Sequence, residues 1–212
     1  MISISAQESL LVGISRNLPR KITVYAIGGT AMMFLGYKDS TVDIDLVFTE
    51  GKDRKDFMAA AKSMGYEPMD PCTVYGTKDN QPIMMRRADE RFDLFLRDVI
   101  SFTFSADMEK RAVKTHEFGA NLVLKIADHH DIVLMKCATD RVKDQEDMRN
   151  IIQNSKIDWD IIIKETENQV TLGRTKSVFF MVGTLLALKK AGTEIPESVF
   201  HAIWKLMGEN KK

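Results

Sequence analysis

The stretch Tyr25–Phe48 constrains this chain more than any other, because it sets a glycine pair and two carboxylates between two short apolar segments. It reads as a strand ending at Ile27, a turn on Gly28 and Gly29, and a helix entered at Thr30. After Gly36 and a polar turn, a second strand follows over Thr41–Phe48. Side chains two apart on a strand point to one side, so Asp43 and Asp45 face together while Ile44 and Leu46 face the other way. Two carboxylates aimed in one direction from a strand otherwise made of Ile, Leu, Val and Phe fit a divalent cation. Mg²⁺ takes carboxylate oxygens and keeps positions open for substrate phosphates. Gly28, Gly29 and Thr30 supply the complementary half: glycine lets the backbone approach closely, and free N–H groups at a helix start bind phosphate. Alone, an Asp-x-Asp pair also suits a solvated edge strand, a Gly-Gly pair a plain tight turn, and Thr30 a simple N-cap. Their spacing within one strand–turn–helix–strand unit points instead to a metal and phosphate site.

Around this unit the pattern is regular. Residues 3–18 carry Ile4, Leu10, Leu11, Ile14 and Leu18 at near-helical spacing, and 22–27 read as a strand. A helix over 53–64 is stopped by Gly65. The Pro-, Gly- and Asp-rich segment 66–80 reads as a loop holding a short strand at 73–75. Strands follow at 83–86 and 91–96, then a hairpin over 112–117 and 121–126 around Gly119. Beyond Asp128, a predicted N-cap, the periodicity is helical, over 129–142, 144–154, 158–170, 175–191 and 196–207. The expected fold is therefore α/β (α+β), with a small mixed-sheet domain at 1–125 followed by a helical bundle at 126–212.

Thirty basic and thirty acidic residues balance to a net charge of zero, so no global field draws the chain to nucleic acid or an anionic membrane. Cys72 and Cys137 have no metal-ligand spacing and make no disulfide framework, which suits a reducing cytoplasm. The longest apolar run, Val178–Leu188, is interrupted by Gly183 and Thr184 and is too short for a bilayer. With no signal-like start, a soluble cytoplasmic protein with no membrane partner is expected.

Gly-Gly-Thr, a helix, then Thr-Val-Asp-Ile-Asp resembles the signature of the DNA polymerase β-like nucleotidyltransferase superfamily. The likeness is greatest to its small prokaryotic members, grouped with AbiEii-type toxins and related uncharacterised nucleotidyltransferases. That resemblance implies transfer of an NMP from an NTP to an acceptor hydroxyl at a two-metal Mg²⁺ site. It assigns the third carboxylate to Asp93, which alternates with Phe92 and Leu94 on the strand 91–96, with Asp98 at the strand end as the alternative. It further implies that Lys136 contacts nucleotide phosphates, that Arg141 or Lys143 assists, and that Asp144 holds the lysine or the helix junction. A charged, solvated helix face remains the plainer reading of that block. By the same likeness the acceptor is RNA, tRNA in particular, or a protein, and a cognate antitoxin is expected. The competing reading is a degenerate, non-catalytic nucleotide-binding module of a two-protein system.

Other groups carry less. His129 and His130, adjacent on a helix, are expected to face apart, which argues against joint metal binding. Arg86, Arg87 and Arg91 read as solvated strand-end charges, with contact to a triphosphate or an acceptor as the alternative. The Met and Phe residues of the last helices read as core.

Overall fold

A computed structural model describes residues 1–137 and 141–209. Strand β1 (Ile2–Ser3) leads into helix α1 (Ile4–Asn17), strand β2 (Ile22–Ala26), helix α2 (Gly28–Phe34), strand β3 (Ser40–Thr41) and strand β4 (Ile44–Phe48). Helix α3 (Gly51–Ser63), strand β5 (Glu67–Met69) and a single helical turn α4 (Cys72–Tyr75) come next, before strands β6 (Ile83–Arg87) and β7 (Glu90–Leu96). A small hairpin, β8 (Asp98–Val99) and β9 (Phe102–Thr103), precedes helix α5 (Ala106–Arg111). The hairpin β10 (Thr115–Phe118) and β11 (Leu122–Ile126) follows. The remainder is helical: α6 (His129–Lys136), α7 (Val142–Asn154), α8 (Trp159–Thr171), α9 (Thr175–Lys190) and α10 (Glu197–Glu209).

The main sheet runs β10-β11-β2-β4-β7-β6-β5, with β8 and β9 attached beside β7. Its β11–β2 and β4–β7 pairs are parallel and the others antiparallel, so the sheet is mixed, as expected. Parallel neighbours need a crossover, and α3 lies within the one joining β4 to β7. The parallel register sets Ile44 beside Phe92, Asp45 beside Asp93 and Leu46 beside Leu94. With a side-chain period of two, Ile44, Leu46, Phe48, Phe92 and Leu94 share one face, and all are fully buried. Phe57 of α3 meets Phe48 and Phe92 edge-on at 5.4 and 5.3 Å, and Tyr66 lies 4.9 Å from Phe92. Edge-on aromatic contacts of this kind add about 0.5–1.5 kcal/mol each beyond the area they bury. The same register turns Asp45 and Asp93 together toward the opposite face.

α1 packs on α3, β10 and β11, capped by the Ser3 hydroxyl, which accepts the Ala6 N–H. α6 packs on α2, α7 and α8, and one continuous apolar core joins strand residues to Ile132, Met148, Ile162, Leu185 and Ile203. Polar ties supplement it. Arg111 of α5 bonds Asp131 of α6 at 2.7 Å and also reaches Glu165 of α8. The Gln169 side chain of α8 accepts the Thr103 N–H at 3.0 Å and donates to the Thr103 carbonyl at 2.8 Å, so an amide side chain completes the edge of β9. No helix among the described residues is long and apolar enough to cross a membrane.

Several local expectations are corrected. The helix expected from Thr30 begins at Gly28, because Gly28 supplies the left-handed turn (φ 54°) and Ile27 takes the cap position. The strand expected over Thr41–Phe48 is broken: Thr41 pairs with Ile2 in a separate two-stranded sheet, and the main-sheet ladder begins only at Ile44. Residues 73–75, expected as a strand, form the turn α4, with the Tyr75 and Gly76 N–H groups closing onto the Pro71 and Cys72 carbonyls. α5 fills a stretch for which the sequence pattern predicts no element, its start capped by Ser105. The helix expected over 129–142 is observed over His129–Lys136; its continuation through 138–140 lies outside the described residues.

Candidate active site

Asp45 is the second residue of β4, and Asp93 is its direct partner on β7. Asp43 sits in the bend between β3 and β4, off the ladder, yet its carboxylate joins the other two. Ligand oxygens of Asp43, Asp45 and Asp93 all lie within 4.8 Å of one another. The Gly-Gly turn makes room for this cluster. A Cβ on Gly28 would stand 2.6 Å from Asp45 Oδ2, and one on Gly29 would stand 2.6 Å from Thr41 Oγ1. Thr30 is fully buried as the third residue of α2, and its hydroxyl accepts the Asp45 N–H at 2.9 Å. It therefore caps nothing. It ties the start of α2 to the carboxylate-bearing strand, a bond reinforced by the Ile27 N–H on the Asp45 carbonyl at 3.2 Å.

The cluster is rich in negative charge. Burial, followed by the neighbouring Asp43 and Asp93 charges, holds the Asp45 carboxyl well above the usual carboxylate range. Burial also raises Asp93, against the opposing pull of Arg91 and of a Tyr75 hydrogen bond. Arg91 donates through Nε to Asp93 Oδ1 at 2.8 Å and through Nη2 to Asp93 Oδ2 at 3.1 Å, and the same Nη2 reaches Asp43. Tyr75 Oη donates to Asp93 Oδ2 at 2.7 Å, its hydroxyl kept protonated by burial and the adjacent carboxylates. Asp98, the alternative third acid, is elsewhere: it accepts from Thr103 at 2.7 Å and pairs with Arg174 at 2.6 Å.

Facing the carboxylates is a wall contributed by the helices. Lys136, at the end of α6, is buried between Asp144 at 2.8 Å and Asp147 at 2.7 Å. Arg141 pairs with the other oxygen of Asp144 at 2.7 Å, and Lys38 pairs with Asp147 at 2.9 Å. Between this wall and the sheet lies a cavity of about 330 Å³, within the ordinary size of a ligand pocket. Gly28, Gly29, Asp43, Asp45, Lys136, Arg141 and Asp144 all line it, as do Lys78 and Lys143, with Phe95, Ile100 and Ile132 among its apolar contacts. Asp93 and Thr30 do not reach it. Asp93 is fully buried behind Arg91 and Tyr75.

Tyr75, Lys38 and Asp147 are therefore site residues that the sequence did not single out, and Arg91 is one it offered only as an alternative. Arg91 is a correction to the solvated reading, and Arg87 is another; of the three, Arg86 is the one that is solvated. Arg86 is exposed, and Arg87 is occupied by Glu90 and the Met64 carbonyl. Asp147 had a signal, since it falls one turn after Asp144 on α7. The two imidazoles of His129 and His130 do not face apart: their ring centres are 4.1 Å apart. Together with Asp128 they form a second close group of ligand atoms. There His130 is already committed, Nδ1 to Asp128 and Nε2 to the Asp158 N–H at 2.9 Å.

Seven chains of solved structure match this one. Among them is the crystal structure of ANT(2")-Ia in complex with adenylyl-2"-tobramycin, at a TM-score of 0.45 and 17% identity, over 85% of this chain and 98% of that one. So distant a likeness says nothing of this protein's own substrate. No curated protein matches the sequence. A family model described as "Nucleotidyltransferase of unknown function (DUF6036)" matches residues 6–178. With that match running from α1 into α9 and enclosing every residue of the cavity, the chain belongs to this nucleotidyltransferase family.

Proposed function

We propose that the protein moves an NMP from an NTP to an acceptor hydroxyl in a Mg²⁺-dependent reaction. It runs in the cavity between a sheet-bearing domain, residues 1–125, and a helical domain, residues 126–212. The observation that carries this reading is the meeting of Asp43, Asp45 and Asp93 within 4.8 Å beside a cavity whose far wall holds Lys136 and Arg141. The donor set consists of hard carboxylate oxygens, which suit Mg²⁺. Like charges crowd Asp45, which gains from any added cation. Bound there, a pair of metal ions would neutralise the triphosphate and clamp the attacking and leaving oxygens.

The chain's own residues do the rest. The first N–H groups of a helix have no intrahelical partner, so Gly28 and Gly29 offer donors to phosphate oxygens, while Thr30 keeps that turn in register with Asp45. Lys136 and Arg141 offset phosphate charge, and Asp144, bonded to both, fixes where they stand. Asp93, once Arg91 and Tyr75 release it, helps to take the proton of the attacking hydroxyl. The acceptor oxygen then bonds to the α-phosphorus as the bond to pyrophosphate breaks, and pyrophosphate leaves. Beyond that proton transfer, the catalysis is positioning and charge neutralisation. NTP consumption and two free thiols fit a cytoplasmic site.

The test incubates the protein and its Asp45→Asn variant with Mg²⁺ and each α-labelled NTP, in the presence of total RNA and cell protein. Label transferred by the unmodified protein alone supports the reading; equal transfer by a folded Asp45→Asn protein refutes it. The resemblance to toxin-like transferases makes tRNA the first acceptor to examine. Loss of label on RNase treatment, but not on protease treatment, would identify it. Co-purification from a host extract tests for an antitoxin.

A further inference from the structure

Arg91 holds an unusual place for a strand arginine. Its side chain is only 15% exposed, and its hydrogen bonds among the described residues all go to Asp43 and Asp93. Nothing anchors it to backbone, whereas Arg86 donates to the Ala88 carbonyl and Arg87 to the Met64 carbonyl. Its guanidinium spans two of the three carboxylates that the proposed chemistry assigns to metal. Tyr75, from the exposed turn α4, occupies the remaining reach of Asp93. Together they seal Asp93 off from the cavity. A metal ion and a guanidinium cannot share those oxygens without two cations standing within about 4 Å of each other, a separation at which like charges repel strongly away from bulk water.

We infer that Arg91 is an exchangeable counter-cation. While the carboxylates are without metal it bridges Asp43 and Asp93. It must swing off them, and Tyr75 must release Asp93, before metal is held by all three acids. The freed guanidinium, already at the cavity wall, then pairs with the triphosphate, to which its planar fork is matched. Metal loading and phosphate capture are thereby one exchange: the carboxylates trade an internal cation for an external one, and the released cation takes up the substrate. The inference rests on the metal-site reading above.

The exchange gives a split signature that a merely structural arginine would not. Mn²⁺ binding is measured without nucleotide, by electron spin resonance of the free ion, for the unmodified protein and for Arg91→Met, Arg91→Lys, Tyr75→Phe and Asp45→Asn. Binding of an unreactive NTP analogue at saturating Mn²⁺ is measured alongside. Removing a competing charge-assisted contact should tighten Mn²⁺ binding by about tenfold in Arg91→Met. Tyr75→Phe should tighten it by less, and the analogue should bind Arg91→Met about tenfold more weakly. Arg91→Lys, which keeps the charge but cannot bridge two carboxylates in the same way, should tighten Mn²⁺ binding by a smaller factor and decides the matter if Arg91→Met does not fold. Mn²⁺ binding that needs Asp45 but is unchanged or weaker in folded Arg91 variants overturns the exchange and leaves the metal site standing. If the unmodified protein and Arg91→Met bind Mn²⁺ no better than Asp45→Asn, the metal site itself falls and the exchange with it.

Discussion

Replacing Gly28 with alanine should leave a folded protein that has lost most of its transferase activity, and the structure says why the two effects separate. Gly28 has φ 54°, a left-handed conformation that costs a residue with a Cβ about 1–2 kcal/mol. The new Cβ would also stand 2.6 Å from Asp45 Oδ2 and 3.3 Å from its Cγ. To regain an ordinary 3.4 Å contact the oxygen must retreat by about 0.8 Å. The Asp45 backbone cannot follow, pinned by Thr30 and by its ladder partner Asp93, so the carboxylate must rotate away from the cluster. A displacement near 1 Å at a catalytic group is worth about a hundredfold in rate. Gly36 provides the control: its φ is 83°, but nothing lies within 4 Å of the Cβ it would gain. In urea titrations both Gly→Ala variants should lose about 1–2 kcal/mol. In label transfer only Gly28→Ala should fall by about a hundredfold. Equal activities in the two variants would refute the argument that Gly28 exists to admit the carboxylate.

Four further outcomes are expected. Thr30→Val keeps the shape but strands the Asp45 N–H, and should lower the unfolding free energy in urea by about 1–3 kcal/mol. Lys136→Met removes the partner that Asp144 and Asp147 share but leaves them Arg141 and Lys38, and should cost about 1–3 kcal/mol. Asp147→Asn should cost less by the same assay, because Lys136 keeps Asp144. Burial pushes Asp131 up to about 6, above the usual carboxylate value. An acid raised in the folded state stabilises it when protonated, so this contribution is complete below pH about 4 and is lost as pH rises through about 6, a swing of roughly 3 kcal/mol. Unfolding titrations across that range should show the unmodified protein losing stability relative to Asp131→Asn as pH rises; a constant difference would refute it.

The parts of the site that depend on local chain geometry were legible in the sequence. Gly28, Gly29, Asp43 and Asp45 lie within one strand–turn–helix–strand unit, where spacing alone dictates who faces whom. Even there the agreement is partly fortuitous. Asp43 was expected on the β4 ladder, and it reaches Asp45 from a bend, because Thr41 is drawn into pairing with Ile2. Asp93 was reachable through the family resemblance, but its closeness to Asp45 depends on the parallel register of β4 and β7, which no local pattern encodes. Arg91 and Tyr75 were hidden for the same reason. An arginine opening a strand looks solvated until the partner strand supplies Asp43, and a tyrosine in a polar loop shows no sign of folding back onto Asp93. The boundaries of the last three helices fared well because amphipathic periodicity is a local signal, whereas the irregular turn at Cys72–Tyr75 is held by hydrogen bonds that a propensity does not reveal.

The amide of Gln169 that completes the edge of β9 has a consequence for how such an enzyme can be re-engineered. The hairpin it steadies carries Val99 and Ile100 into the cavity lining, Ile100 itself being held at φ 55° with its carbonyl bonded to Asn80. Ser177 and Arg174 fasten the same hairpin from the helical side, through the Ser101 carbonyl and Asp98. Part of the apolar wall that belongs by sequence to the sheet is thus shaped by α8 and α9. A chimera that grafted the helices of a relative onto this sheet would exchange more than Lys136 and Arg141. It would also recast the pocket's apolar side, and with it the choice of molecule admitted there, without a single substitution in the segment that touches it.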